Sequence, residues 1–244
     1  MDHSSTLLPA MHLTSFLQKL HAQATAERAT GSLRFFKTGP GQYGEGDAFL
    51  GLSVPQIRAS LPQTDSLSGE DVLSLLHSKW HEERLLALLI WVRRFQRARK
   101  DEATQSHIVQ LYLANTRWIN NWDLADTSAP HILGTWLLTR DRSILQRLAA
   151  SSSLWEQRIS VLATQAFIRA DDFTDTLQLC AHFLTHEHDL MHKACGWMLR
   201  EVGKRDAAVL RGFLDQHSTQ MARTMLRYAI EKLTEAERRH YLEK

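Results

Sequence analysis

The chain has 244 residues, 43% hydrophobic and 23% charged, with a formal net charge of +2. This balance excludes a disordered polyelectrolyte and leaves enough apolar material for a sizeable core, read as one domain over residues 1–244. Two cysteines, Cys180 and Cys195, make no disulfide framework and fit a reducing, cytoplasmic setting, while no apolar run approaches the roughly 20 residues of a membrane span.

In chain order, the opening stretch MDHSSTLLPAMHLTSFLQKL has no basic segment leading into an apolar run, which argues against a secretory signal. From Phe35 to Gly51, FFKTGPGQYGEGDAFLG holds five glycines and one proline. Glycine tolerates tight turns, so a small β-hairpin or a structured loop is expected there. A flexible linker is the alternative, but Tyr43, Phe49 and Leu50 need something to pack on.

After this break the pattern is helical. GEDVLSLLHS, HEERLLALLIWVRRFQRA, SHIVQLYLANT, SAPHILGTWLLT, LWEQRISVLATQAFIR, DTLQLCAHFLTH, LMHKACGWMLREVGK and MARTMLRYAIEKL each repeat apolar residues at three-four spacing, punctuated by Ser, Asp, Thr and Pro. The longer helices carry one basic residue near the start: Arg84, Arg158, Lys193 and Arg223. The expectation is an all-α fold, a curved superhelical solenoid of HEAT-like helical hairpins with a short glycine-rich hairpin or loop insertion near the N-terminus. An ordinary helical bundle is the alternative.

Chemistry concentrates in WINNWDLADTSAP, residues 118–130. Trp122 and Asp126 are four apart and share a helical face. Asp126 as a helix N-cap would account for the carboxylate alone. An indole beside a carboxylate suits another task, which is to hold a sugar and stabilise positive charge on it. LWEQRIS sets Arg158 three residues after Trp155, and HKACGWMLRE sets Trp197 four after Lys193. Taken singly, such tryptophans are more often core than functional. Arg158, Lys193 and the basic helix residues Arg93, Arg94 and Arg97 are the cations expected to line a polyanion-binding groove.

Competing motifs are weaker. CAHFLTHEHDLMH pairs His182 with His186 and His188 with His192 at zinc-chelating spacing, but the HExxH pattern fails at Leu190, so polar loop histidines and no metal site are expected. GPGQYGEG lacks the Lys-Ser/Thr of a phosphate-binding loop, and no GxSxG serine motif occurs.

NNWDLADTSAPHILG, LWEQRISVLATQAF and HKACGWMLREVGKRD resemble the AlkD-like family of DNA alkylation repair proteins, and LRFFKTGPGQYGEGDAFLGLSVPQIR is similar to the family's N-terminal signature. The resemblance implies a superhelix of HEAT-like repeats holding duplex DNA in a basic groove, and a glycosylase that releases 3-alkyladenine and 7-alkylguanine. It places the catalytic carboxylate on Asp126, the sugar-facing tryptophans on Trp122 and Trp197, and the functional arginine on Arg158. Asp123 falls outside the catalytic position. Arg158, Lys193, Lys37, Tyr43 and Phe35 are then the expected DNA contacts, Phe35 standing where catalytic relatives carry a tyrosine. The expected partner is alkylated double-stranded DNA, bound by a monomer without cofactor. The glycine-rich segment also resembles that of relatives associated with branched DNA, which makes a non-catalytic DNA-binding module the alternative. A HEAT-like scaffold for proteins is the third possibility.

Overall fold

The computed structural model describes residues 13–243; of the stretch 1–20 on which the secretory-signal reading was made, residues 1–12 lie outside them. Among the described residues the secondary structure is helical, with one isolated parallel bridge between Ala48 and Trp80. No helix among them is long and apolar enough to cross a membrane. Contacts group the chain into two compact units, one ending at Arg94 and the other beginning at Phe95.

The first unit contains α1 (Leu13–His21), α2 (Ala26–Phe35), α3 (Val54–Ser60), a 3-10 turn at Leu61–Thr64, α4 (Gly69–Leu76) and most of α5 (His81–Arg97). Local signals set the helix starts. Thr25 caps α2, and Ser53 with Gln56 and Ser68 with Asp71 form capping boxes on α3 and α4. The glycine-rich segment between α2 and α3 is a series of turns rather than a hairpin.

The start of α5 fixes this loop. The Glu82 carboxylate accepts the backbone N–H groups of Leu50, Gly51 and Leu52 at 3.0, 2.8 and 3.2 Å. Arg84 donates to Asp47 at 2.5 Å, and the backbone N–H of His81 donates to the Ala48 carbonyl at 2.9 Å. The Phe49 ring stacks on Phe36 and on His81. The loop's own polar groups therefore find their partners on a buried helix end, which excludes the linker alternative.

The second unit contains α6 (Glu102–Ala114), a 3-10 turn at Thr116–Trp118, α7 (Trp122–Ser128), a π turn at Pro130–Gly134, α8 (Thr135–Leu137), α9 (Ser143–Ala149), α10 (Leu154–Ala163), α11 (Gln165–Arg169), α12 (Thr174–His182), α13 (Asp189–Arg205), α14 (Ala207–His217), α15 (Arg223–Ala229) and α16 (Glu235–Glu243). Consecutive helices pack in pairs, α9 on α10, α12 on α13 and α13 on α14, and α13 also packs on α15. Helix α10 lies at the centre of this unit and packs on α7, α9, α12 and α13. Its Ile159, Val161, Leu162 and Ala163 are fully buried.

Two expected continuous helices are interrupted. LWEQRISVLATQAFIR breaks at Thr164, whose N–H and hydroxyl both donate to the Val161 carbonyl, at 3.2 and 2.6 Å. SAPHILGTWLLT is not one helix either. Helix α7 begins earlier, at Trp122, and gives way at Pro130, which has no N–H to continue the ladder, to the π turn. Gly134 closes that turn against α10, where a Cβ would lie 2.1 Å from the Ala163 carbonyl oxygen.

This contact yields a paired prediction. Gly134→Ala should lower the unfolding free energy by about 2 kcal/mol through overpacking against backbone. Gly212→Ala, on α14 with open space around its Cα, should raise it by roughly 0.5 kcal/mol through helix propensity. Urea denaturation of both variants checks the opposite signs.

Candidate functional site

The site is built from the start of α7. The Asn121 side-chain oxygen accepts the Trp122 N–H at 2.8 Å and caps the helix. Asp126 therefore lies one turn inside α7 and is not its N-cap. Trp122 precedes it by four residues, on the same helical face, and both side chains are half-buried. Asp123 accepts the Leu124 N–H at 2.9 Å, a local helix-start contact. Helix α7 is anchored behind Asp126 by Ser128, whose hydroxyl donates to the Leu124 carbonyl and accepts from buried Tyr112 on α6 at 3.0 Å. Burial raises the Tyr112 phenol above its ordinary range, so it stays a neutral donor.

Arg158, on the first turns of α10, meets Asp126 side on. Its Nε donates to one carboxylate oxygen at 2.8 Å and its Nη2 to the other at 2.9 Å, the fork geometry that suits a guanidinium and a carboxylate. Its Nη1 donates to the Leu190 carbonyl at the start of α13. One side chain thus ties together α7, α10 and α13. The Arg158 side chain is 5% exposed and that of Asp126 16% exposed. Burial pushes the Asp126 carboxyl above its ordinary value, Arg158 opposes this, and Asp123 adds a small push in the same direction as burial. The expected phosphate contact of Arg158 has a different geometry here, because the guanidinium faces inward onto Asp126.

The seven tryptophans sort by surroundings. Trp91 is core. Trp80, Trp118 and Trp136 each lie under a neighbouring cation, Lys79, Arg117 and Arg140 respectively. Trp122, Trp155 and Trp197 are half-buried. Trp197 donates its indole N–H to Glu201 at 3.1 Å, and Lys193, one turn before it on α13, pairs with Asp189 at 2.7 Å.

In the first unit Phe35 is 65% exposed at the end of α2, Lys37 is exposed in a left-handed backbone conformation (φ 51°), and Tyr43 is half-buried. Two of the basic residues of α5 expected in a groove are spent on structure, Arg93 on Asp65 at 3.2 Å and Arg94 on the Leu67 carbonyl at 2.5 Å. Among the described residues no group of three His, Cys, Asp or Glu side chains is arranged to hold a metal.

Three parts of the site have no clear sequence signal. The Leu190 carbonyl is backbone. The Tyr112–Ser128 bond joins two residues that read as ordinary helix positions. The Thr116 hydroxyl donates to Glu156 at 2.6 Å, which ties the segment before α7 to α10.

The sequence matches the family described as DNA alkylation repair enzyme over residues 16–233. No curated protein matches. Among solved structures, a predicted DNA alkylation repair enzyme from Enterococcus faecalis superposes with a TM-score of 0.69, covering 87% of this chain and 98% of that one at 16% identity, which shows a shared fold. An all-α chain matched over nearly its whole length belongs to the DNA alkylation repair enzyme family. Its role is in DNA repair, and DNA is its partner.

Removing half of the Arg158–Asp126 pair strands a carboxylate among apolar helices. Arg158→Met should cost about 3 kcal/mol of stability at neutral pH. Without the cation the folded Asp126 binds a proton more tightly than the unfolded chain does, so the deficit is full above the folded pKa and shrinks as pH falls through it. Urea unfolding near neutral pH and in mild acid checks both the size and the sign.

Proposed function

We propose that the protein is a DNA glycosylase that hydrolyses the N-glycosidic bond of cationic alkylated purines, 3-alkyladenine and 7-alkylguanine, in duplex DNA. The observation that carries this is Asp126, a solvent-reached carboxylate held bidentately by buried Arg158 and preceded on its helical face by Trp122. The resemblance of the surrounding motifs to those of AlkD-like repair proteins supports the same assignment.

The chemistry follows from charge. An alkylated purine already carries a positive charge, so when the C1′–N bond breaks its electron pair neutralises the departing base. The sugar is left as an oxocarbenium ion. Asp126, ionised, stabilises that cation and accepts a hydrogen bond from the water that adds to C1′, leaving an abasic deoxyribose and a released proton. Arg158 favours the charged carboxylate against the effect of its burial. Trp122 and Trp197 present indole faces that favour a cationic, C–H-rich sugar. Lys193 contributes a phosphate contact, and in the first unit Phe35, Lys37 and Tyr43 are proposed DNA contacts. Such contacts give affinity without base sequence preference. The alternative of a branched-DNA module drew on a hairpin, and the glycine-rich segment forms turns anchored on α5.

The test is base release from duplex DNA carrying defined methyl lesions. Asp126→Asn should reduce the single-turnover rate at least about 100-fold while leaving DNA affinity within a few-fold. Equal release by wild type and variant overturns the assignment. The wild-type rate should also rise with pH through an acid limb displaced above 3.8, because burial raises the Asp126 pKa and the ionised form is the active one. DNA affinity should fall steeply as salt rises, which separates a phosphate-gripping protein from a protein-binding scaffold.

A further inference from the structure

The segment between α12 and α13 carries His186 and His188, flanked by His182 at the end of α12 and His192 on α13; the reaction uses none of the four, and the segment lies against Arg158. His186 Nδ1 accepts the His188 backbone N–H at 3.0 Å, so its ring proton is on Nε2, which meets Gln157 Oε1 at 2.9 Å. Gln157 donates its own amide N–H to the Ser151 carbonyl at 2.8 Å, which leaves that oxygen as the acceptor. His188 is the N-cap of α13, and its Nδ1 accepts the Leu190 N–H at 3.1 Å. His192 Nε2 donates to the His186 carbonyl. Leu190, whose N–H is fixed by the His188 ring, is the residue whose carbonyl receives Arg158 Nη1.

Each of these two rings acts as an acceptor at Nδ1, and a protonated imidazole has no acceptor. We propose that neutral His186 and His188 are positioning residues for Arg158, shaping the turn that presents the Leu190 carbonyl, so that protonating them loosens the hold of Arg158 on Asp126. This rests on the proposed role of Asp126 only for its effect on catalysis.

The charged groups around the turn point the same way. Burial holds the His188 pKa below its ordinary value, as do His186, His192 and Arg158, against Asp189. Burial does the same to His186, with His192 and His182 adding to it and Glu187 opposing. Asp189 is itself engaged by Lys193 and by Thr224 of α15. A second cation at His188 would be repelled by the nearby charge of Arg158.

The test follows the Arg158 Nε–Hε cross-peak by NMR in the full-length protein, assigned with Arg158→Lys, while the histidine rings are titrated in the same samples. In wild type the peak should be lost with a midpoint below 6.5 that coincides with His188 ring protonation. His186→Gln/His188→Asn keeps side-chain acceptors that do not titrate, and should retain the peak throughout. His188→Ala should weaken it at every pH and slow base release about tenfold. A wild-type peak that persists through histidine protonation overturns the proposal even if the variants fail to fold. So does a double variant that loses its peak as wild type does, or a His188→Ala peak equal to wild type. Histidine-linked loss of the peak in a protein that releases no base supports the positioning role and overturns the glycosylase assignment; base release with a pH-invariant peak does the reverse.

Discussion

A carboxylate drawn into a helix-packed interior must either take up a proton or be met by a cation, and the pairing of Asp126 with Arg158 is the constraint on which the rest of the second unit depends. Burial alone would favour the neutral acid. The bidentate contact, with one N–H on each oxygen, opposes that push toward the neutral acid and fixes the plane of the carboxylate. Because Arg158 also reaches the start of α13, the pair determines where three helices meet. Tyr112 and Ser128 brace α7 on the side away from Arg158, so the carboxylate is held from the helix behind it and from the arginine beside it.

The first unit contains the same chemistry used differently. Asp47 and Arg84 form an ion pair in which both side chains are 4% exposed. No substrate reaches a carboxylate so enclosed, and its role is to fasten the glycine-rich loop to α5. At Asp126 the arginine is equally hidden but the acid keeps an edge open to solvent. With the same two residue types in each, the difference between a structural pair and a candidate reactive one lies in that edge.

Much of this was legible in the sequence, and the limits have physical causes. Three-four spacing picked out the stretches of α4 to α8, α10 to α13 and α15, because burying one face imposes that period, while the helices α1, α2, α3, α9, α14 and α16 were not singled out. That Trp122 and Asp126 share a helical face was visible because four residues make about one turn. The start of α7 was less so: Asn121 and Asp123 both offer capping oxygens, and only the packed backbone selects Asn121. The direction of Arg158 was hidden for a different reason. Its partner lies 32 residues away, and an arginine near a helix start looks the same whether it faces outward to a phosphate or inward to a carboxylate. The histidine segment resembled a failed zinc motif, and its role as a hydrogen-bonded turn depends on Nδ1 contacts to backbone that spacing cannot express.

The pairing also bears on which lesions such a site can process. Held as a carboxylate, Asp126 has no proton to give a departing base, and the N–H groups that Arg158 turns toward it are engaged. A normal purine leaves as an anion unless it is protonated, so this arrangement offers it little. A purine that alkylation has made cationic needs no acid and leaves behind a cation that a fixed negative charge stabilises. On the proposed function, selection then operates through the charge of the lesion and the reactivity of its bond. The arginine that meets Asp126 in the resting protein is part of that selection, because it favours the ionised acid against surroundings that push toward the neutral one.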